Sequence, residues 1–159
     1  MRKKILDGRA AEVDVAPGIY DWLDLPRIAT VELSSEDPRF PIESVFDAHE
    51  GVGWRANQDG EQLLRLIFEE PVRLHHLQLQ FVEEEHERTQ EFAIRWSPAQ
   101  GVSLKEIVRQ QWTFSPGGST REVEDYAVNL ENVRVVELFI RPDLTAGRGR
   151  ATLSKWRLA

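Results

Sequence analysis

The sequence lacks cysteine altogether, has a single methionine and contains no long apolar run. The absence of cysteine excludes a disulfide framework, a thiolate zinc site and a cysteine nucleophile. No stretch approaches the length of a membrane-spanning helix, and the basic opening MRKK is not followed by the apolar segment of a secretory signal peptide. We therefore expect no membrane association and a cytoplasmic location.

Basic residues are fewer than acidic ones: the sequence has 20 Lys and Arg residues and 27 Asp and Glu residues, for a net charge of −7. Non-specific binding to nucleic acid needs a basic face that neutralises phosphates, so we expect no nucleic-acid partner. The length of 159 residues, with 41% hydrophobic and 30% charged residues, is typical of one soluble globular domain with its own core.

The apolar residues that are present recur mostly with a period of two, which predicts half-buried β-strands. In EFAIRWS this alternation places Phe92, Ile94 and Trp96 on one face. It also places Trp54 and Trp156 in the core or at its edge. Turn signals such as DPRFP, SPAQG and SPGGST separate about eight such segments, which is the spacing of an all-β sandwich or barrel.

Three segments need individual interpretation. EQLLRLIFEEP and VRLHHLQLQFVEEE are predicted to be two paired strands, joined by a break at Glu69–Pro71. A β-bulge around His75–His76 would absorb the change of phase within the second strand. AQGVSLKEIVRQQW fits either a short helix or a strand. GIYDWLDL, residues 18–25, is predicted to form one helical turn that caps an end of the domain.

Four stretches, in order along the chain, resemble the discoidin, or coagulation factor 5/8 type C, family of galactose-binding-like jelly rolls. They are TVELSSEDPRFPIESVFDAHEGVGW, EQLLRLIFEEPVRLHHLQLQF, EFAIRWSPAQGVSLKEIV and VRVVELFIRPDLTAGRGRATLSKWRLA. IVRQQWTFSPGGSTREVEDYAV further resembles small bacterial proteins of this type that are described as carbohydrate-binding. The resemblance implies an antiparallel β-sandwich jelly roll of about eight strands over residues 28–159. Residues 1–27 match the family weakly, and we expect them to form an added N-terminal arm that packs on the domain.

In that family the loop before the first Trp commonly holds calcium, and the resemblance places Asp47 at one ligand position. The position of a late carboxylate ligand is occupied here by Lys155. An ammonium group and a dication repel each other strongly at such short range. We therefore expect no calcium and no other cofactor, and a salt bridge between Asp47 and Lys155 that holds the loop instead. The alternative is that both side chains are simply solvated.

The sequence offers little for metal binding elsewhere or for catalysis. His75 and His76 are adjacent on a predicted strand, so their side chains point to opposite faces. EEEHER, which follows the same strand, has the charge run of a solvated hairpin tip. No nucleophile elbow and no phosphate-binding glycine loop is present. We therefore expect a protein that binds no metal and is not an enzyme.

Candidate ligand-binding residues are aromatic and polar side chains next to predicted loops. Sugar sites stack a ring on an aromatic face and hold the hydroxyl groups with polar side chains. Trp112, which follows Gln111 and precedes the loop SPGGST, is the best candidate for stacking, with core packing as the alternative. Arg55 and Asn57 follow the first family Trp, where the resemblance implies the ligand end, and Arg121 lies in a further polar turn.

Two functions of different classes remain open. The first is a non-catalytic module that binds carbohydrate or another small polyhydroxy ligand, which requires a concave polar pocket with an aromatic floor. The second is an intracellular protein-interaction module on the same fold, which requires a flat or convex apolar patch. We favour the first.

Overall fold

The alternating segments form eight strands in the computed structural model, which describes residues 20–47, 51–146 and 149–159. The strands are β1 (Ala29–Leu33), β2 (Trp54–Arg55), β3 (Gln62–Val82), β4 (Arg88–Ser97), β5 (Lys105–Phe114), β6 (Arg121–Arg141), β7 (Thr152–Leu153) and β8 (Lys155–Leu158). A short helix, α1 (Leu25–Ile28), precedes β1, and a 3-10 helix (Ile42–Phe46) lies between β1 and β2. The all-β prediction is confirmed.

Two long strands, β3 and β6, belong to both layers of the fold. Residues 62–67 of β3 pair with residues 135–140 of β6, and this pair lies at the centre of a five-stranded layer in the order β1–β3–β6–β4–β5. Further along β3, residues 77–82 pair with the first residues of β6, and residues 77–80 also pair with β8, which gives a three-stranded layer. Every pair is antiparallel, and β2 and β7 form a separate small ribbon. This arrangement is the predicted β-sandwich jelly roll.

The two layers face each other across one hydrophobic core. Phe81, on the part of β3 in the three-stranded layer, packs against Phe92 of β4, with ring centroids 5.2 Å apart. Trp54 and Trp156 are buried in the same core, as predicted, and Trp96 packs partly buried against it. Burial of each large apolar side chain stabilises the fold by about 1.5–3 kcal/mol relative to its exposure.

The predicted break at Glu69–Pro71 is wrong, because β3 runs through these residues without interruption. The two segments are one strand, and both pair with β6. All three residues are exposed, and the pairing with β6 is irregular between Ile67 and Val72. Proline lacks an N–H group, and it is tolerated where the ladder requires none. The predicted bulge further along is confirmed by a register shift between Leu74 and His76.

The structure gives a definite conformation to the segment AQGVSLKEIVRQQW and to the described residues of GIYDWLDL. The stretch that fits either a helix or a strand forms β5. The helical turn predicted at residues 18–25 lies further along, at Leu25–Ile28. Pro26 lies in its first turn, where a missing N–H is not needed and the fixed φ angle favours a helix start. The position of this proline, rather than the apolar pattern, determines where the turn begins.

The described part of the predicted N-terminal arm covers the outer face of the three-stranded layer. Tyr20 stacks on His76 with ring centroids 3.8 Å apart, and Trp22 approaches the same imidazole edge-on at 5.8 Å. Burial lowers the pKa of His76, although its ion-pair partner Asp125 opposes this effect. Residues 1–19 lie outside the described part of the chain, so the arm and its boundary stay a prediction.

Gly53, immediately before β2, has a φ of 77°, and a Cβ at this position would lie 2.6 Å from the carbonyl oxygen of Leu153 in β7. Gly53→Ala is expected to lower the free energy of unfolding by about 3 kcal/mol, from backbone strain and the clash together. Gly101 also has a φ of 77°, but a Cβ there would have no other atom within 4 Å, so it is the matched control. Gly101→Ala is expected to cost about 1–2 kcal/mol in urea denaturation. Equal costs would show that contact with β7 contributes nothing.

Candidate functional site

Three connections meet at one end of the sandwich and enclose a cleft of about 640 Å³, which we call the loop-end cleft. They are residues 56–61 after β2, residues 83–87 between β3 and β4, and the described residues between β6 and β7. The charged and hydroxyl side chains of its lining are Arg55, Asp59, Glu83, Glu85, His86, Glu87, Arg88, Asp143, Arg150 and Thr152. A smaller side cleft of about 330 Å³ shares Arg55 and Glu83 with it.

Arg88 forms the floor of the loop-end cleft and is only 4% exposed. Its Nε donates to Glu83 Oε1 at 2.7 Å, Nη1 donates to the carbonyl oxygen of Pro142 at 2.9 Å, and Nη2 donates to Thr152 Oγ1 at 3.1 Å. The guanidinium also lies over the ring of Phe114, 4.9 Å from its centroid. One side chain therefore joins the walls of the cleft and packs against the core.

Glu83, 8% exposed, is the carboxylate that compensates the charge of Arg88. Its Oε2 accepts the backbone N–H groups of Glu85 at 3.1 Å and His86 at 3.3 Å, which folds the connection around it. Burial raises the pKa of Glu83, but the hydrogen bonds from Arg88 and from these backbone groups outweigh burial and bring the pKa below its ordinary value. Glu83 is therefore ionised at neutral pH.

The stretch DPRF, residues 37–40, forms a turn whose last residue, Phe40, lines the side cleft. Pro38 favours a turn after Asp37, and the turn is closed by the N–H of Phe40 donating to the carbonyl of Asp37 at 2.8 Å. The Asp37 carboxylate accepts the backbone N–H of Arg39 at 3.0 Å. Hydrogen bonds from Arg39 lower the pKa of Asp37 to about 2, so this turn is held over the whole neutral range.

Arg55 lies on the ring that this turn presents. Its Cζ is 4.6 Å from the ring centroid of Phe40, and its backbone N–H donates to the Phe40 carbonyl at 3.3 Å. Within the described part of the chain, no acceptor lies within hydrogen-bond distance of the Arg55 guanidinium. A cation–π contact holds the guanidinium without using its N–H donors, which leaves them for a ligand.

The lining of the loop-end cleft carries both signs of charge. Arg88 is paired with Glu83, and Arg150 Nε lies 4.0 Å from Asp59 Oδ1. The other lining carboxylates are those of Glu85, Glu87 and Asp143. Arg55 therefore supplies N–H donors that are not paired with a carboxylate to a cleft whose lining also offers several oxygen acceptors. This combination suits hydroxyl groups, because a hydroxyl both donates and accepts a hydrogen bond.

The structure brings two of the predicted ligand-binding residues together. Arg55 lines both clefts, and Arg121 lines the side cleft with it. The Nη1 of Arg121 donates to Gln80 Oε1 at 2.8 Å across the strand pair. Asn57 is exposed but lines neither cleft, and its backbone N–H bonds to Ser35 Oγ at 3.3 Å.

Trp112 and Gln111 lie on β5 and line neither cleft. Trp112 is partly buried against the core, opposite Gln90 of β4, which corresponds to the core-packing alternative. Its Nε1 is buried and has no hydrogen-bond partner among the described residues. Gln111 points to the outer face, where its Nε2 donates to Glu91 Oε2 at 3.1 Å. Strand alternation, rather than the nearby loop, determines both positions.

The predicted salt bridge between Asp47 and Lys155 stays a prediction. Asp47 is exposed at the end of the 3-10 helix, Lys155 is buried in β8, and residues 48–50 of the same loop lie outside the described part of the chain. Over the described ranges, no group of three or more His, Cys, Asp or Glu side chains is arranged to hold a metal ion. In the same ranges, no helix is long and apolar enough to cross a membrane.

Sequence reasoning misses Phe40 and the Arg88–Glu83 pair. EEEHER has the charge run of a solvated tip, and its middle residues are exposed, but Glu83 and Arg88 at either end of the connection are buried. A signal for Arg88 is present, because it shares the parity of Phe92 and Ile94 on β4 and therefore points inward. Phe40 has no such signal, since a turn has no period.

The outer face of the five-stranded layer is polar, and its charges are paired. Arg65 bonds to Glu32 at 3.2 Å and to Glu137 at 2.8 Å, and Arg95 bonds to Glu137 at 3.2 Å. The exposed large apolar side chains of the described residues lie on separate strands and loops: Val52, Val102, Val123 and Leu144. This face therefore does not offer the apolar patch that a protein-docking module requires.

Comparison with known proteins gives structural matches only. No protein-family model matches the sequence, and no curated protein sequence matches it. The family 32 carbohydrate-binding module of C. perfringens NanJ, in complex with galactose, has a TM-score of 0.57 at 12% identity and covers 86% of this chain and 96% of its own. The family 32 module of AlyQ, in complex with 4,5-unsaturated mannuronic acid, has a TM-score of 0.57 at 16% identity and covers 88% and 98%.

A pectin-binding carbohydrate-binding module has a TM-score of 0.58 at 16% identity and covers 82% of this chain and 89% of its own. At such low identities these likenesses establish the fold. The chain has the galactose-binding-like β-sandwich of the family 32 modules, which confirms the discoidin-type fold that the sequence resemblance implied.

Proposed function

We propose that this protein is a non-catalytic module that binds carbohydrate in the loop-end cleft. The observation that carries the proposal is Arg55, which lines this cleft: its guanidinium is held on the ring of Phe40, in the adjoining side cleft, and has N–H donors that no described residue uses. Modules of the same fold are described as complexes with galactose and with an unsaturated mannuronic acid, which supports a sugar as the ligand.

The chemistry of recognition follows from the lining. The forked guanidinium of Arg55 matches two neighbouring oxygen atoms, such as adjacent hydroxyls of a pyranose or the oxygens of a uronate. Carboxylates such as Asp143 on the opposite wall accept hydrogen bonds from further hydroxyls. Arg88 and Glu83 hold these walls in place rather than meeting the ligand first, because both are buried.

Replacing Arg55 by alanine is expected to weaken sugar binding by about 10–100-fold, the equivalent of one or two lost charge-assisted hydrogen bonds. A glycan microarray would identify the sugar, and titration calorimetry with that sugar would measure the affinity of each variant. Arg73→Ala is the matched control, because Arg73 is exposed and bonds to Asn129, at 3.2 Å, outside the cleft lining. Unchanged affinity in Arg55→Ala, or an equal loss in both variants, would contradict the proposed site.

A bound calcium ion would stabilise the native state by mass action and raise the melting temperature. Since we expect no calcium to bind, calcium and EDTA are each expected to leave the melting temperature unchanged within about 1 °C. The physical reason is the ammonium group of Lys155 at the position of a family calcium ligand. Differential scanning fluorimetry with increasing calcium concentration tests this. A saturable rise in melting temperature that EDTA abolishes would show that the calcium site is intact.

The protein-interaction module is the second candidate. It rests on the same fold, but the paired charges on the outer face of the five-stranded layer disfavour an apolar docking surface there. A null result across the glycan array, together with a stable protein partner that binds through the layer, would favour it over the sugar-binding proposal.

A further inference from the structure

A chain of buried polar side chains extends from the floor of the loop-end cleft into the space between the two layers. Arg88 Nη1 donates to Gln90 Oε1 at 3.2 Å, and Gln90 Nε2 donates to Glu122 Oε1 at 3.1 Å. Gln90 and Glu122 are both 0% exposed. Glu83, on the other side of Arg88, completes the chain at the cleft. A polar row that is sealed from water in this way is costly unless each member has a partner.

The direction of every hydrogen bond in this chain is fixed by Arg88. A guanidinium can only donate, so Gln90 must present its oxygen to Arg88 and its NH₂ group to Glu122. Glu122 Oε1 is therefore an acceptor. Its other oxygen, Oε2, is buried without a hydrogen-bond partner among the described residues, and it is the atom left to carry a proton.

The surroundings of Glu122 favour the neutral carboxyl group. The charged or titratable groups that face it are Glu124 and Tyr126 on its own strand and Arg88, beyond Gln90, on β4. Its register partner on β3 is Phe81, which carries no charge. On β5, the register partner of Gln90 is a tryptophan, which is also uncharged. Burial therefore outweighs the one distant cation, and a charge on Glu122 would be uncompensated.

We propose that Gln90 and Glu122 are positioning residues for the loop-end cleft, acting through Arg88, and that the cleft is correctly assembled only while Glu122 is neutral. Ionised Glu122 attracts the guanidinium of Arg88, or admits water between the layers to solvate the charge. The attraction withdraws Arg88 from Glu83 and Thr152, the groups that it fixes in the cleft, and water that enters between the layers competes for the same hydrogen bonds. Ligand binding then weakens as the pH rises. This inference rests on the proposed function for its ligand but not for its mechanism.

The mechanism is tested without a ligand, by following the Arg88 Nε–H signal in ¹H–¹⁵N NMR spectra of the full chain from neutral to alkaline pH. In the wild type the chemical shift of this signal is expected to change with pH, because Arg88 Nε–H loses its hydrogen bond to Glu83 when Glu122 ionises. In Glu122→Gln, which keeps the size and shape of the side chain, the signal is expected to stay constant over the same range. Glu131→Gln is the matched control, since Glu131 is an exposed glutamate on the same strand. It is expected to titrate as the wild type does.

A second measurement connects the mechanism to binding. For the sugar identified on the array, the wild type is expected to lose about tenfold in affinity between pH 7 and the alkaline plateau of the NMR titration, and Glu122→Gln is expected to lose less than about twofold. An Arg88 signal that does not titrate in the wild type, or titrates equally in Glu122→Gln, overturns the inference. If no sugar binds, the proposed function fails, while the NMR result still decides the coupling between Glu122 and Arg88.

Discussion

Replacing Arg88 by methionine is expected to lower the free energy of unfolding by about 3–5 kcal/mol, the cost of removing one partner from a buried ion pair. Methionine keeps most of the apolar stem, so the loss comes from the polar end. Glu83 is left as a buried carboxylate without its cation, and the carbonyl of Pro142 and the oxygen of Gln90 lose their donor. Each buried polar group left without a partner costs about 1–3 kcal/mol.

Urea denaturation of the Arg88→Met variant measures this loss, and two further variants make its origin clear. Arg27→Met removes an exposed arginine, whose side chain is 76% exposed in its pair with Asp24, and is expected to cost no more than about 1 kcal/mol. Adding Glu83→Gln to Arg88→Met is expected to recover part of the loss, since the uncompensated charge is then gone. A loss from Arg88→Met no larger than that of Arg27→Met would show that the buried network contributes nothing to stability.

Glu122→Gln is expected to stabilise the protein at pH 8 by several kcal/mol, at most about 5 kcal/mol, because the wild type must take up a proton on Glu122 in order to fold. Burial, reinforced by the neighbouring Glu124 carboxylate, raises the pKa of Glu122 from 4.5 to about 9. The glutamine side chain fills the same space and needs no proton. The stabilisation therefore comes from removing a cost, and it depends on pH.

The sign follows from proton uptake. Between pH 4.5 and about 9 the folded protein holds a proton on Glu122 that the unfolded chain has released. The contribution of Glu122 to stability is therefore lost as the pH rises through this window, by up to about 1.4 kcal/mol per pH unit. The difference in unfolding free energy between Glu122→Gln and the wild type is expected to be near zero below this window and to grow with pH inside it. Glu131→Gln is expected to show no such trend, and a pH-independent difference for Glu122→Gln would refute the assignment.

Much of the fold is predictable because strand alternation is a local property of the sequence. Phe92 and Ile94 share a parity, and that parity alone directs them into the core. The break predicted at Glu69–Pro71 is wrong because proline and two glutamates have the composition of a turn. The structure tolerates them at an irregularity in the pairing of β3 with β6, which depends on a strand more than sixty residues away along the chain.

The candidate site is less predictable, since its members come from separate connections. Arg55 follows β2, Arg88 begins β4 and Asp143 follows β6, and only the sandwich brings them to one end. A prediction from local sequence can select Arg55 as a polar residue next to a loop, but it cannot place Phe40 beneath the guanidinium. Trp112 has two local signals that disagree, since the nearby loop favours ligand contact whereas its parity on β5 directs it inward.

The sharing of β3 and β6 between the two layers has a consequence for how the molecule opens. The ladder between β3 and β6 cannot open in one layer without disrupting a strand of the other, so the amides of this ladder are expected to exchange with solvent more slowly than those of the edge strands β1, β5 and β8. The register partners of β3 and β6 are also far apart in sequence, which makes folding slow, because long loops must close before those contacts stabilise the chain. The connections that line the loop-end cleft lie outside these ladders, and their position depends instead on the hydrogen bonds of Arg88 and Glu83.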